Sequence, residues 1–496
     1  MSDKSDKSVV EEYSVESEGT KAEVKIRNES GKNKAYDVKI PKVSEATGMY
    51  IEGIRNELLR KTTIAKSEVA GLEELEALKV RLRKEAMLMI KDEFPSVSAK
   101  EHQFVASMLV QDMLGLGRLE FLLADDGIEE ICVNGAAHPV WIYHKRHGWL
   151  KTNVIIDTEA EIRAYASAIG RRAGRQITAN TPLLDAHLLS GDRVNATLSP
   201  VSVFGNTITI RKFSRKPWTI TDLLKNDTMS LEAAAFLWLC IQYELNIVVA
   251  GGTAAGKTSF LNVLSSFFPP NQRVISIEQT REIVLPSALQ WVPMLVRQPT
   301  TEGKGEVSML DLMMNSLRMR PDRIVVGEIR RSEEASVLFE AMHTGHSVYS
   351  TLHAETASET MKRLINKPIE IAPVVLESLH LIAVMYRDRR SGIRRLFEIH
   401  EVLPLERKEK SSTRQLFRWR ASDDKIRKDE ESVRCMDVLR TFTRMDDREI
   451  ARDLSERESV LKWIMKNDIR DIEETGQILS SFYTDPDALF KKMQMK

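Results

Sequence analysis

Only three cysteines occur in 496 residues: Cys132, Cys240 and Cys435. They stand far apart and form no C-x-x-C pair. That argues against a disulfide framework or a Cys₄ zinc site and fits a reducing interior. Net charge is absent too, because 72 Lys and Arg balance 72 Asp and Glu. No overall positive field is available to hold nucleic acid by charge alone. Aromatic-basic stacking patches of the kind that grip single strands are also missing. No run of about 18 apolar residues exists. The nearest candidate, Leu231 to Ala250, is interrupted by Glu232, Gln242, Glu244 and Asn246. The opening Met1-Ser2-Asp3-Lys4-Ser5-Asp6-Lys7 lacks the apolar core of a signal peptide. The expectation is a chain with no transmembrane segment of its own, able to dock on a membrane protein.

What is present centres on Leu245 to Leu261. Leu245-Asn246-Ile247-Val248-Val249-Ala250 is a short apolar run that suits a strand buried on both faces. Gly251-Gly252-Thr253-Ala254-Ala255-Gly256-Lys257-Thr258-Ser259 then fits the phosphate-loop pattern G-x-x-x-x-G-K-[ST]. Glycines there allow backbone conformations and close approaches that a Cβ would hinder. Successive N–H groups then point inward at a polyphosphate, and the helix expected to start near Lys257 adds its positive N-terminal end. Lys257 would reach the β- and γ-phosphates, and the Thr258 hydroxyl would bind Mg²⁺.

The rest of the chain divides by composition. Residues 1–48 read as a flexible polar tail, with a weak strand over Ala22 to Arg27. Residues 49–115 read as a helical N-terminal domain, with Leu72, Leu75, Leu78, Leu82, Ala86 and Met89 on one face. Residues 116–217 read as a small α+β domain, with a hairpin signal at Asn134-Gly135 and strands around Arg193 and Arg211. From 218 to 404, apolar runs alternate with helical stretches, as in an α/β sheet. Residues 405–496 read as a charged, mainly helical C-terminal domain, which Trp463 helps to anchor.

Hydrolysis needs more than a phosphate loop: a second Mg²⁺ anchor, a group that orients water, and positive charge for the transition state. Ile324-Val325-Val326-Gly327-Glu328 places a carboxylate at a strand tip, where Glu328 can hold the Mg²⁺ shell or polarise water. Val274-Ile275-Ser276-Ile277-Glu278 offers a second one. His343, His346 and His353 crowd into eleven residues. A zinc reading lacks further ligands; sensing of the γ-phosphate or linking of subunits suits His346 and His353 better. Arg193, Arg211, Arg318, Arg320 and Arg330 supply guanidinium groups, the right chemistry for bidentate phosphate contact.

Together these segments resemble the secretion ATPase superfamily of type II and type IV secretion, type IV pili and the archaellum, over about residues 115 to 400. Ile277-Glu278 with Thr280 and Glu282 is similar to that family's Asp box. Arg320-Pro321-Asp322 and Gly327-Glu328-Ile329-Arg330 are similar to its Walker B segment. Thr344-Gly345-His346 and Ser350-Thr351-Leu352-His353-Ala354 are similar to its His box. Gly115 to Glu120 and Gly191-Asp192-Arg193-Val194-Asn195 resemble its N-terminal module, and the tail around Phe417-Arg418-Trp419 looks most like archaeal members.

The resemblance implies a RecA-like motor domain preceded by a PAS-like α+β module, with helical extensions at both ends. It implies a homo-hexameric, cytoplasmic ATP hydrolase that binds ATP and Mg²⁺. It also implies peripheral association with the membrane through a polytopic platform protein, and no nucleic acid. Glu278 would activate water, Glu328 would support Mg²⁺, and Arg193 and Arg211 would supply charge from the N-terminal module. Three positions depart from the pattern: Gln279 replaces an expected Asp, Arg331 a common Gly, and Arg118 a frequent Pro. Gln279 keeps open a nucleotide-binding scaffold with little hydrolysis. A nucleic-acid-translocating RecA-like motor is the third reading.

Overall fold

The structure, a computed structural model, describes residues 9–29, 34–40, 51, 53–58, 60, 72–95, 98–213, 216–299, 303–388, 390–404 and 413–494. They form two compact units, one up to residue 215 and one from 216 onward, and each is built around a nine-stranded sheet.

The first unit's sheet runs β1 (Val9–Ser17), β2 (Thr20–Arg27), β3 (Ala35–Lys39), β6 (Gly148–Ile155), β5 (Pro139–His144), β4 (Ile128–Asn134), β9 (Thr207–Arg211), β8 (Arg193–Thr197) and β7 (Leu183–His187). Only β3 and β6 pair in parallel.

The first three strands correct the expected flexible tail; residues 1–8, 30–33 and 41–48 of that stretch lie outside the described residues. Ala22, Val24, Ile26, Tyr36 and Val38 are buried, while the residues between them are exposed or half-exposed charges. A strand buried on one face spends half its residues on solvent and so looks polar in composition. The β1–β2 turn is also held. Glu18 receives Lys79 at 2.8 Å and Arg83, both from the helix Leu72–Glu93. Ser17 accepts from Gln111 at 3.0 Å, on the helix Ala99–Leu114. That second helix begins with a reciprocal cap between Ser98 and Glu101. β4 and β5 form the antiparallel pair that Asn134-Gly135 signalled, with Gly135 at φ +113°.

The second unit's sheet runs β12 (Gln290–Leu295), β11 (Arg273–Glu278), β13 (Arg323–Val326), β14 (Ser347–Leu352), β10 (Ile247–Gly251), β15 (Leu381–Arg387), β16 (Arg394–Val402), β17 (Thr413–Arg420) and β18 (Lys425–Lys428). From β12 to β15 every pair is parallel; β15 to β18 are antiparallel. β10, β13 and β14 are buried at every residue, because helices cover both faces. Each fully buried Val, Ile or Leu contributes roughly 1.5–3 kcal/mol of transfer free energy.

The C-terminal segment differs from the expected separate helical domain. Residues 405–412 lie outside the described residues, but β17 and β18 extend the same sheet. The helices Asp447–Lys466 and Ile472–Thr484 share the core of the helix Leu231–Gln242. Trp238 donates to the Tyr483 hydroxyl at 2.6 Å, and Tyr483 donates to the Phe267 carbonyl at 2.5 Å. The buried Arg457 guanidinium lies 4.8 Å from the Trp238 ring and pairs with Asp453 at 2.7 Å. The anchor is thus Trp238, Arg457 and Tyr483, with half-buried Trp463 packed at the margin of that core.

Candidate functional site

The parallel strands of the second unit bring their C-terminal ends to one edge, where ligands bind in open α/β sheets. β10 ends there at Gly251, and the helix Lys257–Ser265 begins after Gly256 at φ +91°. A Cβ on Gly251 would lie 2.6 Å from the Met385 carbonyl oxygen, so only glycine fits that approach. Ala254 holds φ +58°, a left-handed conformation costing roughly 1–2 kcal/mol for a residue with a Cβ. No side chain caps the helix, which leaves its first-turn N–H groups for an anion. Buried Phe260, Leu261 and Leu264 hold the helix onto the sheet. Lys257 donates from Nζ to the Gly252 carbonyl at 3.0 Å, within the loop. Thr258 is half-buried and Ser259 exposed on the first helical turn.

His353 follows β14 and braces the loop. Its Nδ1 lies 3.1 Å from the Gly251 carbonyl oxygen, and its Nε2 lies 2.9 Å from the Thr253 hydroxyl. A carbonyl only accepts, so Nδ1 carries the proton and Nε2 accepts from Thr253.

Two carboxylates end neighbouring strands. At about 4.8 Å per strand, the Glu328 strand lies roughly 10 Å and the Glu278 strand roughly 14 Å from β10. Glu278 is 2 % exposed. Its Oε1 accepts the N–H groups of Glu282 at 2.9 Å and Ile283 at 3.0 Å. Its Oε2 is buried with no hydrogen-bond partner among the described residues. Burial pushes this carboxyl up to about 7, and the two N–H bonds oppose the shift. Glu328 is more open, and its Oε2 is gripped by Arg330 through Nε at 2.8 Å and Nη2 at 2.5 Å. Arg330 also donates to the Gln279 amide oxygen at 2.7 Å. Gln279 therefore serves as an acceptor that ties the end of β11 to Glu328. Arg331 supplies the N-cap of the helix Ser332–His343, where Glu334 takes the N–H groups of Arg330 and Arg331.

His346 does not join this cluster. His346 precedes β14, so the length of that strand, roughly 20 Å, separates it from His353. Its ring contacts the Ala341 carbonyl and the Thr344 hydroxyl, at 3.3 and 3.2 Å. The shared His box hid this, because a strand sends its two ends to opposite edges of a sheet. Among the described residues no three His, Cys, Asp or Glu side chains gather to hold a metal. Arg193 and Arg211 belong to the first unit, directly opposite each other on β8 and β9. Arg193 forms a bidentate pair with Asp185 at 3.0 and 2.7 Å.

One residue escaped sequence reasoning. Arg394 donates from Nε to the Ala254 carbonyl at 3.2 Å, at the tip of the loop. The only sequence signal was the arginine-rich turn Arg387 to Arg395. What makes it local is register: β15 pairs Met385 with Gly251, and β16 returns beside it.

The family described as type II/IV secretion system protein matches residues 115–388, more than half of the chain. The uncharacterised protein MJ0900 of Methanocaldococcus jannaschii is 33 % identical over 394 residues, 78 % of this chain and 71 % of that protein. The type IV secretion system protein PtlH of Bordetella pertussis is 35 % identical over 265 residues, 49 % of this chain and 77 % of that one. Among solved structures, the ATPase DotB of Yersinia pseudotuberculosis aligns at a TM-score of 0.44 with 17 % identity, covering 73 % of this chain and 91 % of that one.

Proposed function

This chain belongs to the type II/IV secretion system protein family, and from that premise we propose that it is a Mg²⁺-dependent ATP hydrolase that drives filament assembly or protein export. The observation that carries the reading is the Glu278 carboxylate. It is buried at the edge that bears the phosphate loop, with one oxygen fixed by two N–H groups and the other unpartnered. A base with a pKa near the working pH is what proton abstraction from water favours.

The donor set fits a nucleotide with its metal. Gly251 leaves a cradle that a Cβ would fill, the uncapped helix presents N–H groups, and Lys257 is held at the loop. Thr258 and Glu328 would hold Mg²⁺ together with the phosphates and water. The ion, when bound, would neutralise charge on the phosphates. His353 holds the loop to β14, and Arg394 holds its tip. Arg193 and Arg211 would add charge from the first unit. In this reading the second unit is a RecA-like motor and the first contains the PAS-like module. Within these units the proposed limits are 49–115, 116–217 and 218–404, while β1–β3 join the first sheet and β17, β18 and the C-terminal helices join the second unit. The chain assembles as a homo-hexamer and works in the cytoplasm, held at the membrane by a polytopic platform protein. No helix among the described residues is long and apolar enough to cross a membrane. Hinge closure and opening would convert turnover into a push. His346, away from the loop, would serve contacts between subunits.

The test is Lys257→Ala, which should abolish Mg²⁺-dependent phosphate release from ATP; undiminished turnover would end the site assignment. The scaffold reading has one observation in its favour: Glu328 is already neutralised by Arg330, and Gln279 adds no second charge. Under that reading Gln279→Asp raises turnover well above wild type; unchanged turnover removes it.

A further inference from the structure

On the opposite side of β10 from Glu278 and Glu328, an open groove lies between the helix Leu231–Gln242, the β17–β18 edge and the helices Arg434–Thr443 and Asp447–Lys466. Its floor is apolar: Phe236, Phe417, Met436 and Leu454. The two phenyl rings are 5.8 Å apart. Its rim is acidic, carrying Glu232, Glu430, Glu431 and Glu458. Lys428 is the one cation of the lining; it pairs with Glu431 at 2.7 Å and sits 3.8 Å from Glu232. Arg414, outside the lining, reaches Glu430 at 3.5 Å. Glu458 has no ion pair among the described residues and faces Glu232, which, after burial, holds its carboxyl above the usual range. Like charges placed over an apolar floor cost stability in the free chain. A cation with apolar neighbours would offset that cost.

We propose that this groove docks a short segment of a membrane partner, one that combines lysines or arginines with apolar anchor residues. The chemistry of the partner follows from charge. Cytoplasmic loops of membrane proteins carry an excess of Lys and Arg, which complements an acidic rim. Apolar anchors from such a loop fill the floor, as helices fill hydrophobic grooves. The inference rests on the motor reading for its partner, but the groove is tested without it. The location also suits a motor, since the floor is built from the core that joins the C-terminal helices to the sheet.

The experiment uses the full chain and two synthetic twelve-residue helical peptides of leucine with either lysine or glutamate. Fluorescence anisotropy at low salt should show the lysine peptide binding at least tenfold more tightly than the glutamate peptide. Glu232→Lys with Glu458→Lys should cut its affinity at least tenfold with ATP turnover retained, because neither residue touches the phosphate loop. Met436→Ala should weaken it less. Raising the salt to 0.5 M should also weaken binding, since Glu232, Glu430 and Glu431 are solvent-exposed. Equal binding of both peptides, or unchanged affinity in the double variant, overturns the proposal. So does a tenfold gain on replacing residues 405–412, which hold Arg407, Lys408 and Lys410, with a Gly-Ser linker. That gain would make the chain's own segment the occupant. Undiminished turnover in Lys257→Ala with lysine-peptide binding intact would end the motor reading alone; lost turnover with equal binding of both peptides would end this one alone.

Discussion

The two nine-stranded sheets differ in how their strands use their faces. In the first unit β2 and β5 alternate, with one residue in the core and the next toward solvent or half-buried. In the second, β10, β13 and β14 are buried throughout. Parallel strands joined by helices must be covered on both sides, and their C-terminal ends then collect at one edge. That edge gathers Gly251, Glu278, Glu328 and His353 from four separate strands. The largely antiparallel sheet spreads its turns over both ends, and a buried carboxylate just before β4, Asp125, holds structure. Asp125 accepts from the Tyr13 hydroxyl at 2.6 Å, the Tyr36 hydroxyl at 2.7 Å and the Gly127 N–H at 2.7 Å.

Asp125 is thus satisfied and Glu278 half-satisfied, and replacing each in turn tests the contrast. The largest effect is expected at Glu278. Glu278→Gln should lower ATP turnover by roughly 10²–10⁴-fold, the usual contribution of a general base. It should also stabilise the fold. The folded chain holds the Glu278 proton more tightly than the unfolded one. Wild-type stability is therefore lost as pH rises from the ordinary carboxylate range through about 7. The loss is worth roughly 3 kcal/mol above that pH. Urea melts at pH 5 and pH 8 should show a gap in wild type that shrinks in the variant. An equal gap in both would show that Glu278 ionises normally. Next comes Asp125→Ala, with the opposite signature. The buried Tyr36 hydroxyl loses its acceptor, at about 1–3 kcal/mol, and the half-buried Tyr13 hydroxyl loses one too, so the melting midpoint should fall. Turnover per folded molecule should hold. A rise in stability would mean the satisfied carboxylate is no asset.

Smaller effects test the loop's braces. His353→Ala removes two contacts at the loop and should raise the KM for ATP more than it lowers kcat. Arg394→Ala removes one, worth about 1 kcal/mol, and should raise KM several-fold. Equal KM values in both variants and wild type would place the loop's order in the backbone alone.

Legibility in sequence followed the same divide. β10, β11, β13 and β14 were readable because continuous apolar runs carry their own burial. The phosphate loop was readable because its glycines answer local backbone demands. β1 and β3 were hidden, and β2 showed only as a weak strand over Ala22 to Arg27, since their charged faces resemble a disordered tail until a neighbour supplies the other half of the core. β17 and β18 were hidden for a similar reason, being rich in arginine and lysine, with β18 at the edge of the sheet.

The sequence by itself determined the phosphate loop, the strand-end carboxylates and the parallel sheet, since these are set by residue type over a few neighbours. Only the tertiary structure decided which ends meet. Strand order placed His353 at the loop and left His346 at the far edge. Register brought Arg394 to Ala254. Burial, which depends on every element around a residue, left Glu278 half-satisfied while Arg330 claimed Glu328.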